Sequence, residues 1–93
     1  MYPRILRRMR RLVLEQQYVV TVHADDEMSA DDLTVYDLER IVLTGEIIER
    51  QRDAGTSECK YRIRGRDLGD SVAEVVAKTS ITGKVVFITV YSL

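Results

Sequence analysis

Apolar residues recur at two different periods in this chain, and the change falls at Gly45. Before it, Ile5, Met9, Leu12 and Val13, and then Val35, Leu38, Ile41 and Val42, follow the three-and-four spacing of helices. After it the period is two, as in strands whose alternate side chains share a face. Glu46–Arg52 and Glu58–Arg64 predict one hairpin around the loop Asp53-Ala54-Gly55-Thr56-Ser57. Val72–Thr79 and Lys84–Tyr91 predict a second around Thr82-Gly83. Val85-Val86-Phe87-Ile88 is apolar on both faces, which predicts a central strand. The fold class is therefore α+β: N-terminal helices packed on one face of an antiparallel sheet of about four strands.

Local signals place the helix ends. Pro3 suits a first helical turn, where its missing N–H costs nothing. Thr34 with Asp37 three residues on predicts a capping box. Gly45 predicts a glycine cap at the end of the second stripe. Tyr18–Val22 is β-rich and reads as a short strand or an extended lead-in, and residues 23–31 as a short helix or a turn. All 93 residues form a single domain: an Arg-rich amphipathic helix over 1–17 and an α+β core over 18–93.

Charge lies in blocks although the net charge is only −1. Residues 1–16 hold five Arg and one Glu; residues 23–49 hold nine acids and Arg40; residues 50–66 hold six bases and two acids. Such blocks either form patches that steer partners or neutralise one another in the fold. The Arg face of the first helix is a solvated surface or a surface for RNA or an acidic partner. The single cysteine, Cys59, excludes an internal disulfide, fits a reducing cytoplasm and reads as a packing residue. No apolar run has the length of a membrane span, and the Arg-rich start lacks the apolar stretch of a secretion signal. The expected location is the cytoplasm.

The densest cationic run is Lys60-Tyr61-Arg62-Ile63-Arg64-Gly65-Arg66. As a strand it puts Lys60, Arg62 and Arg64 on one face, about 7 Å apart, a spacing comparable with successive phosphates. Arginine grips phosphate with two parallel N–H donors and stays charged at any working pH. Arg50 and Arg52 on the partner strand could enlarge the patch. A hairpin with Ile48 opposite Ile63 instead offers Glu49 to Arg62 as an ordinary cross-strand ion pair, and sets Arg64 opposite Ile47. His23, the sole histidine, could serve as acid or base near neutral pH, or as a capping residue. With no second His and no Cys pair, no metal site is expected. The Asp25, Asp26, Asp31 and Asp32 cluster lacks EF-hand spacing. Phosphate-binding glycine loops and nucleophile elbows are absent from the sequence, so no nucleotide cofactor is expected. Dispersed cations, one His and tyrosines on a sheet suit metal-independent cleavage of RNA, in which cations stabilise the phosphorane.

The motifs "TVHADDEM", "LTVYDLERIVLTGEIIERQRD", "KYRIRG", "VVAK" and "ITVY" together resemble a domain-of-unknown-function family of small bacterial proteins. Its members are often encoded beside a YgiT-type zinc-finger antitoxin. The resemblance covers about residues 18–92. In element order that family is similar to the BrnT, MqsR and RelE toxins, ribonucleases whose bent antiparallel sheet presents Lys, Arg, Tyr or His to RNA. The resemblance implies His23, Lys60, Arg62 and Arg64 as catalytic residues, with Arg50, Lys78 and Tyr91 contacting RNA. Many relatives carry an Arg where this chain has Asp31 or Asp32. The implied function is a type II toxin that cleaves mRNA without metal or cofactor; the alternative is a non-catalytic module that binds an acidic partner or nucleic acid. Expected partners are RNA, including ribosome-bound mRNA, a cognate zinc-finger or helix-turn-helix antitoxin, and a second copy of the chain in a homodimer. No membrane partner is expected.

Overall fold

The computed structural model describes residues 2–56 and 58–93, so Ser57 of the expected hairpin loop and Met1 lie outside the described residues. The elements are α1 (Pro3–Leu14), β1 (Tyr18–Val20), α2 (Val22–Ala30), α3 (Val35–Thr44), β2 (Glu46–Arg52), β3 (Cys59–Arg66), β4 (Val72–Thr79) and β5 (Val85–Ser92). Both hairpins form where the period-two segments predict them. The sheet has five strands rather than four, in the order β1-β5-β4-β3-β2. The additional strand is β1, which pairs with β5 in parallel and makes the sheet mixed; the other pairs are antiparallel. Tyr18-Val19-Val20 is therefore a strand and not merely a lead-in. As expected, β5 is central, between β1 and β4.

Alternation sorts the sheet into two faces. Tyr61 and Ile63 of β3, Ala73, Val75 and Ala77 of β4, and Phe87 and Val90 of β5 are buried in the core with α1 and α3. The opposite face carries Lys60, Arg62, Arg64, Glu74, Val76, Lys78 and Tyr91. The buried stripe of α1 is Leu6, Met9, Leu12 and Val13, with Ile5 only half-buried, so the helix is rotated slightly from the expected stripe. Helix α2 is a true helix, capped by the Thr21 hydroxyl, which accepts from the Ala24 N–H at 3.1 Å. It flanks the outer edge of β5 beyond the end of β1. There Glu27 Oε1 accepts the Val90 N–H at 3.0 Å and Asp31 Oδ2 accepts the Ser92 N–H at 3.1 Å. Two carboxylates thus satisfy edge donors that another strand would otherwise take.

The capping box at Thr34 forms as expected. Its Asp37 also accepts the Leu68 N–H at 2.8 Å. Burial opposes ionisation of this carboxyl, but hydrogen bonds from Thr34 and Leu68 prevail and hold it below its ordinary range. Gly45 is not a left-handed cap: its backbone is extended, with φ −97° and ψ −177°. Glycine is required there because a Cβ would stand 2.5 Å from the Ile41 carbonyl oxygen and 2.6 Å from that of Arg64. At Gly65 a Cβ would meet the same Ile41 oxygen more closely still. The end of α3 is instead capped from α1, where Arg10 donates from Nε to the Val42 carbonyl at 3.2 Å and from a terminal nitrogen to that of Gly45 at 2.8 Å. A cation on unsatisfied C-terminal carbonyls complements the helix dipole. No helix of the described residues is long and apolar enough to cross a membrane.

Two predictions follow from these contacts. Arg10→Ala should lower the unfolding free energy by about 2 kcal/mol in urea titration, because charged hydrogen bonds to buried carbonyls are lost. Arg11→Ala, on the exposed side, should change it by less than about 0.5 kcal/mol. The second concerns Tyr18, whose hydroxyl donates to Glu39 Oε2 at 2.5 Å. Burial and this carboxylate push the phenol up from 10.0 to about 12. The neutral phenol is favoured in the folded state, so its contribution is complete below pH 10.0 and lost as pH rises toward about 12. Tyr18→Phe should flatten that alkaline loss in a pH series of thermal melts.

Candidate functional site

The open face of the sheet is built around one carboxylate. Glu74 interrupts the apolar run of β4 and is only 1% exposed, although its side chain lies on the face that carries no helix. Strand register explains how it is covered. Arg64 of β3 and Tyr91 of β5 are its direct neighbours on the two flanking strands, and Arg62 is its diagonal neighbour. Arg64 Nε donates to Glu74 Oε2 at 2.7 Å. Arg62 NH1 donates to Oε1 at 3.1 Å, and the Tyr91 hydroxyl to the same oxygen at 2.5 Å. Arg62 Nε also donates to Glu49 Oε1 at 3.1 Å. A polar chain therefore crosses four strands, from Glu49 through Arg62 and Glu74 to Tyr91.

Burial opposes ionisation of Glu74, but donors from Tyr91, Arg64 and Arg62 outweigh it and hold the carboxyl below its ordinary range. Its hydrogen bond to Glu74 raises the Tyr91 phenol, so Tyr91 stays protonated at neutral pH. Arg64 keeps both terminal nitrogens clear of protein acceptors among the described residues, and its side chain is half exposed. With Arg66 it lines an open cleft of about 380 Å³, together with Thr44, Glu46, Ile48, Gly65 and Val72. Planar donors fixed from behind by a carboxylate and open in front are suited to a phosphate or carboxylate ligand.

The expected site residues separate into groups. Arg62, Arg64 and Tyr91 converge on Glu74. Lys60 and Lys78 share their face; Lys78 pairs with Glu58 at 2.9 Å, while Lys60 joins no ion pair among the described residues. Arg50 belongs to the other face, with its guanidinium carbon 5.0 Å from the Tyr2 ring centroid, a cation–π contact. His23 stands in the first turn of α2, 69% exposed, with Nε2 at 3.3 Å from Glu27 Oε1, the oxygen that also holds the Val90 N–H. It is on the β5 edge, separated from the arginines by β5 and β4. The Glu49–Arg62 pairing is as expected, but Ile47 and not Ile48 faces Ile63, because Ile48 is bulged out of register; Arg64 accordingly faces Glu46. Sequence reasoning missed Glu74. Its signal is a lone acid within Val72-Ala73-Glu74-Val75-Val76-Ala77, two strands from a Glu-bearing strand and next to the Arg-bearing one.

Because Glu74 has a lowered folded-state value, its contribution is present above its ordinary value of 4.5 and lost as pH falls through the folded-state value. Glu74→Gln should cost about 2 kcal/mol at pH 7, less than a fully enclosed pair because the arginines remain in reach of water. The variant's stability should also fall less steeply than the parent's below pH 4.5 in urea titrations.

Residues 20–92 match the model of a family described as Domain of unknown function (DUF4258). No curated protein and no solved structure matches the chain. The matched segment begins in β1, so α1 lies outside it, while Arg62, Arg64, Glu74 and Tyr91 all fall within. The match spans well over half of the sequence, and the chain belongs to the DUF4258 family.

Proposed function

We propose that the open sheet face binds the phosphodiester backbone of RNA and that the protein is a toxin-type, metal-independent endoribonuclease acting on mRNA. The observation that carries this reading is Glu74, buried under Arg62, Arg64 and Tyr91 on a sheet face that no helix covers. A buried ion pair is a poor stabilising device, since apolar residues of similar volume often do as well or better. What it does provide is two guanidinium groups held in one orientation, which a charge-developing reaction requires. In this reading Arg62 and Arg64 hold the scissile phosphate and stabilise the phosphorane. A phosphate oxygen that displaces Glu74 Oε2 from Arg64 removes positive charge from the carboxylate and raises its proton affinity, the direction needed in a base for the 2′-OH. Tyr91, kept protonated, is the proton donor to the leaving oxygen. His23, on the sheet edge, has the exposure of an acid or base but acts in this scheme only if the RNA strand crosses β5. In this reading the cellular partner is a cognate zinc-finger or helix-turn-helix antitoxin.

One observation favours the second reading, a non-catalytic module: Arg62 and Arg64 are both already engaged by carboxylates. The two separate in a single experiment. Purified protein is incubated with a fluorogenic single-stranded RNA in EDTA, and its induced expression is followed by growth. The ribonuclease reading expects cleavage, growth arrest, and a loss of about 100-fold or more in single-turnover rate in Arg64→Ala, as for removal of a transition-state donor. Intact RNA, unimpaired growth on soluble expression, and binding that weakens steeply with salt would establish the module instead.

A further inference from the structure

The charge blocks of the sequence have different fates in the fold. In the acidic block, Glu27 and Asp31 close the β5 edge, Asp37 caps α3, Glu39 binds Tyr18 and Glu49 binds Arg62. In the central basic block, Arg62, Arg64 and Arg66 each have a carboxylate within 4.0 Å, and Arg50 lies over Tyr2. Arg52 and Lys60 of that block join no ion pair among the described residues, and the N-terminal block is engaged least of the three. Of its five arginines only Arg10 is engaged, on the carbonyls of Val42 and Gly45. Arg4, Arg7, Arg8 and Arg11 are exposed and join no ion pair among the described residues.

These four positions are spaced by three, one and three residues, so they form a single stripe along α1, opposite Leu6, Met9, Leu12 and Val13. Neighbours one turn apart on such a stripe repel one another. Arg4 also stands in the first turn, which holds no acid, where a cation opposes the helix dipole. Glu15, one turn beyond Arg11, forms no ion pair with it. Arg11, in the last turn, complements the helix dipole, but neither the dipole nor core packing calls for Arg4, Arg7 and Arg8. The fold leaves this row of fixed positive charge on the helical layer, whereas the Glu74 cluster opens on the reverse side of the sheet.

We infer that Arg4, Arg7, Arg8 and Arg11 form a second nucleic-acid-binding surface, which takes the phosphate backbone of an RNA strand independently of the sheet face. Charge complementarity selects the occupant: guanidinium groups a helical turn apart match a chain of phosphates, each able to accept two parallel N–H donors. Beside Arg8, a cleft of about 230 Å³ lined by Ile5, Cys59, Tyr61 and Thr79 offers mixed apolar and polar walls next to the stripe. This surface does not depend on catalysis at Glu74. It serves as well to dock a ribonuclease on structured RNA as to anchor a non-catalytic module.

The test uses the full chain and a fluorescein-labelled 2′-O-methyl oligouridylate, which has no 2′-OH to attack, so binding is read whether or not the protein cleaves RNA. Anisotropy is measured across a salt series. Replacing the four residues together (Arg4→Gln, Arg7→Gln, Arg8→Gln, Arg11→Gln) should make the slope of log K against log salt shallower by about 3, since each single-strand phosphate contact contributes about 0.7. Arg7→Gln alone should reduce it by about 0.7, which keeps the test sharp if the fourfold variant folds poorly. Arg64→Ala, by contrast, should keep the stripe's share of the slope. Unchanged affinity and slope in the two stripe variants would overturn the inference. So would failure of the parent protein to bind at low salt, or tighter binding of a labelled polyglutamate peptide than of the oligouridylate, released by the same substitutions.

Discussion

At the carbonyl oxygen of Ile41 the backbone of α3 approaches the sheet too closely for a Cβ, and the rest of the arrangement is built on that contact. Two glycines admit it: Gly45, where the chain leaves α3, and Gly65, near the end of β3. With no Cβ at either position, the last turn of α3 rests on the backbone of β3 rather than on side chains. Chain direction then leaves little freedom. β2 starts at Glu46, one residue beyond the helix, and must run beside β3. Thr44 closes the same junction, its hydroxyl accepting the Arg66 N–H at 2.9 Å. Arg10 ties in α1 by occupying the carbonyls that this tight exit leaves without helical partners.

From that junction the open face inherits its geometry. Once β3 is fixed, the odd positions Tyr61 and Ile63 turn to the core and Arg62 and Arg64 turn away. The pairing of β4 then places Glu74 beside Arg64, and the pairing of β5 places Tyr91 on its other side. The bulge at Ile48 matters as well, because it brings Glu49 into line with Arg62 without moving Ile47 from the core. Removing the bulge would exchange the two faces of β2 over half its length. The candidate site is thus a consequence of register, with its distances set by backbone pairing rather than by long flexible loops.

That dependence explains what was legible in the sequence. Periodicity revealed α1, α3 and both hairpins, because burial imposes a period that a single chain displays. The capping box was legible because all of its atoms lie within four residues. β1 was ambiguous because three residues show no period, and its parallel partner lies more than sixty positions away. Gly45 reads locally as a helix cap, whereas its reason is a close approach to β3 and to Ile41 across the fold. Glu74 was passed over for the same cause: its donors come from two other strands, and no local pattern announces them. His23 and Arg50, chosen for their chemistry, proved to stand at an edge and on the opposite face, since residue type does not carry position.

A nearly neutral chain with segregated charges could have cancelled them by apposing one block to another, and in part it does so, through Arg62 with Glu49 and Lys78 with Glu58. Four of the nine acids in the acidic block instead accept from backbone N–H groups or a phenol: Glu27 from Val90, Asp31 from Ser92, Asp37 from Leu68 and Glu39 from Tyr18. None of these four carboxylates is paired with an arginine or lysine. Neutrality of the whole chain therefore does not imply neutrality of its surfaces, and the excess left over is concentrated on α1. The sheet face holds its cations in fixed orientation against a buried acid, which favours directional recognition of one phosphate. The helix face holds its cations free and in a row, which favours attraction along a strand. The two surfaces differ in the physical term they supply, orientation in one and net field in the other, and the proposed binding of a polyanion would draw on both.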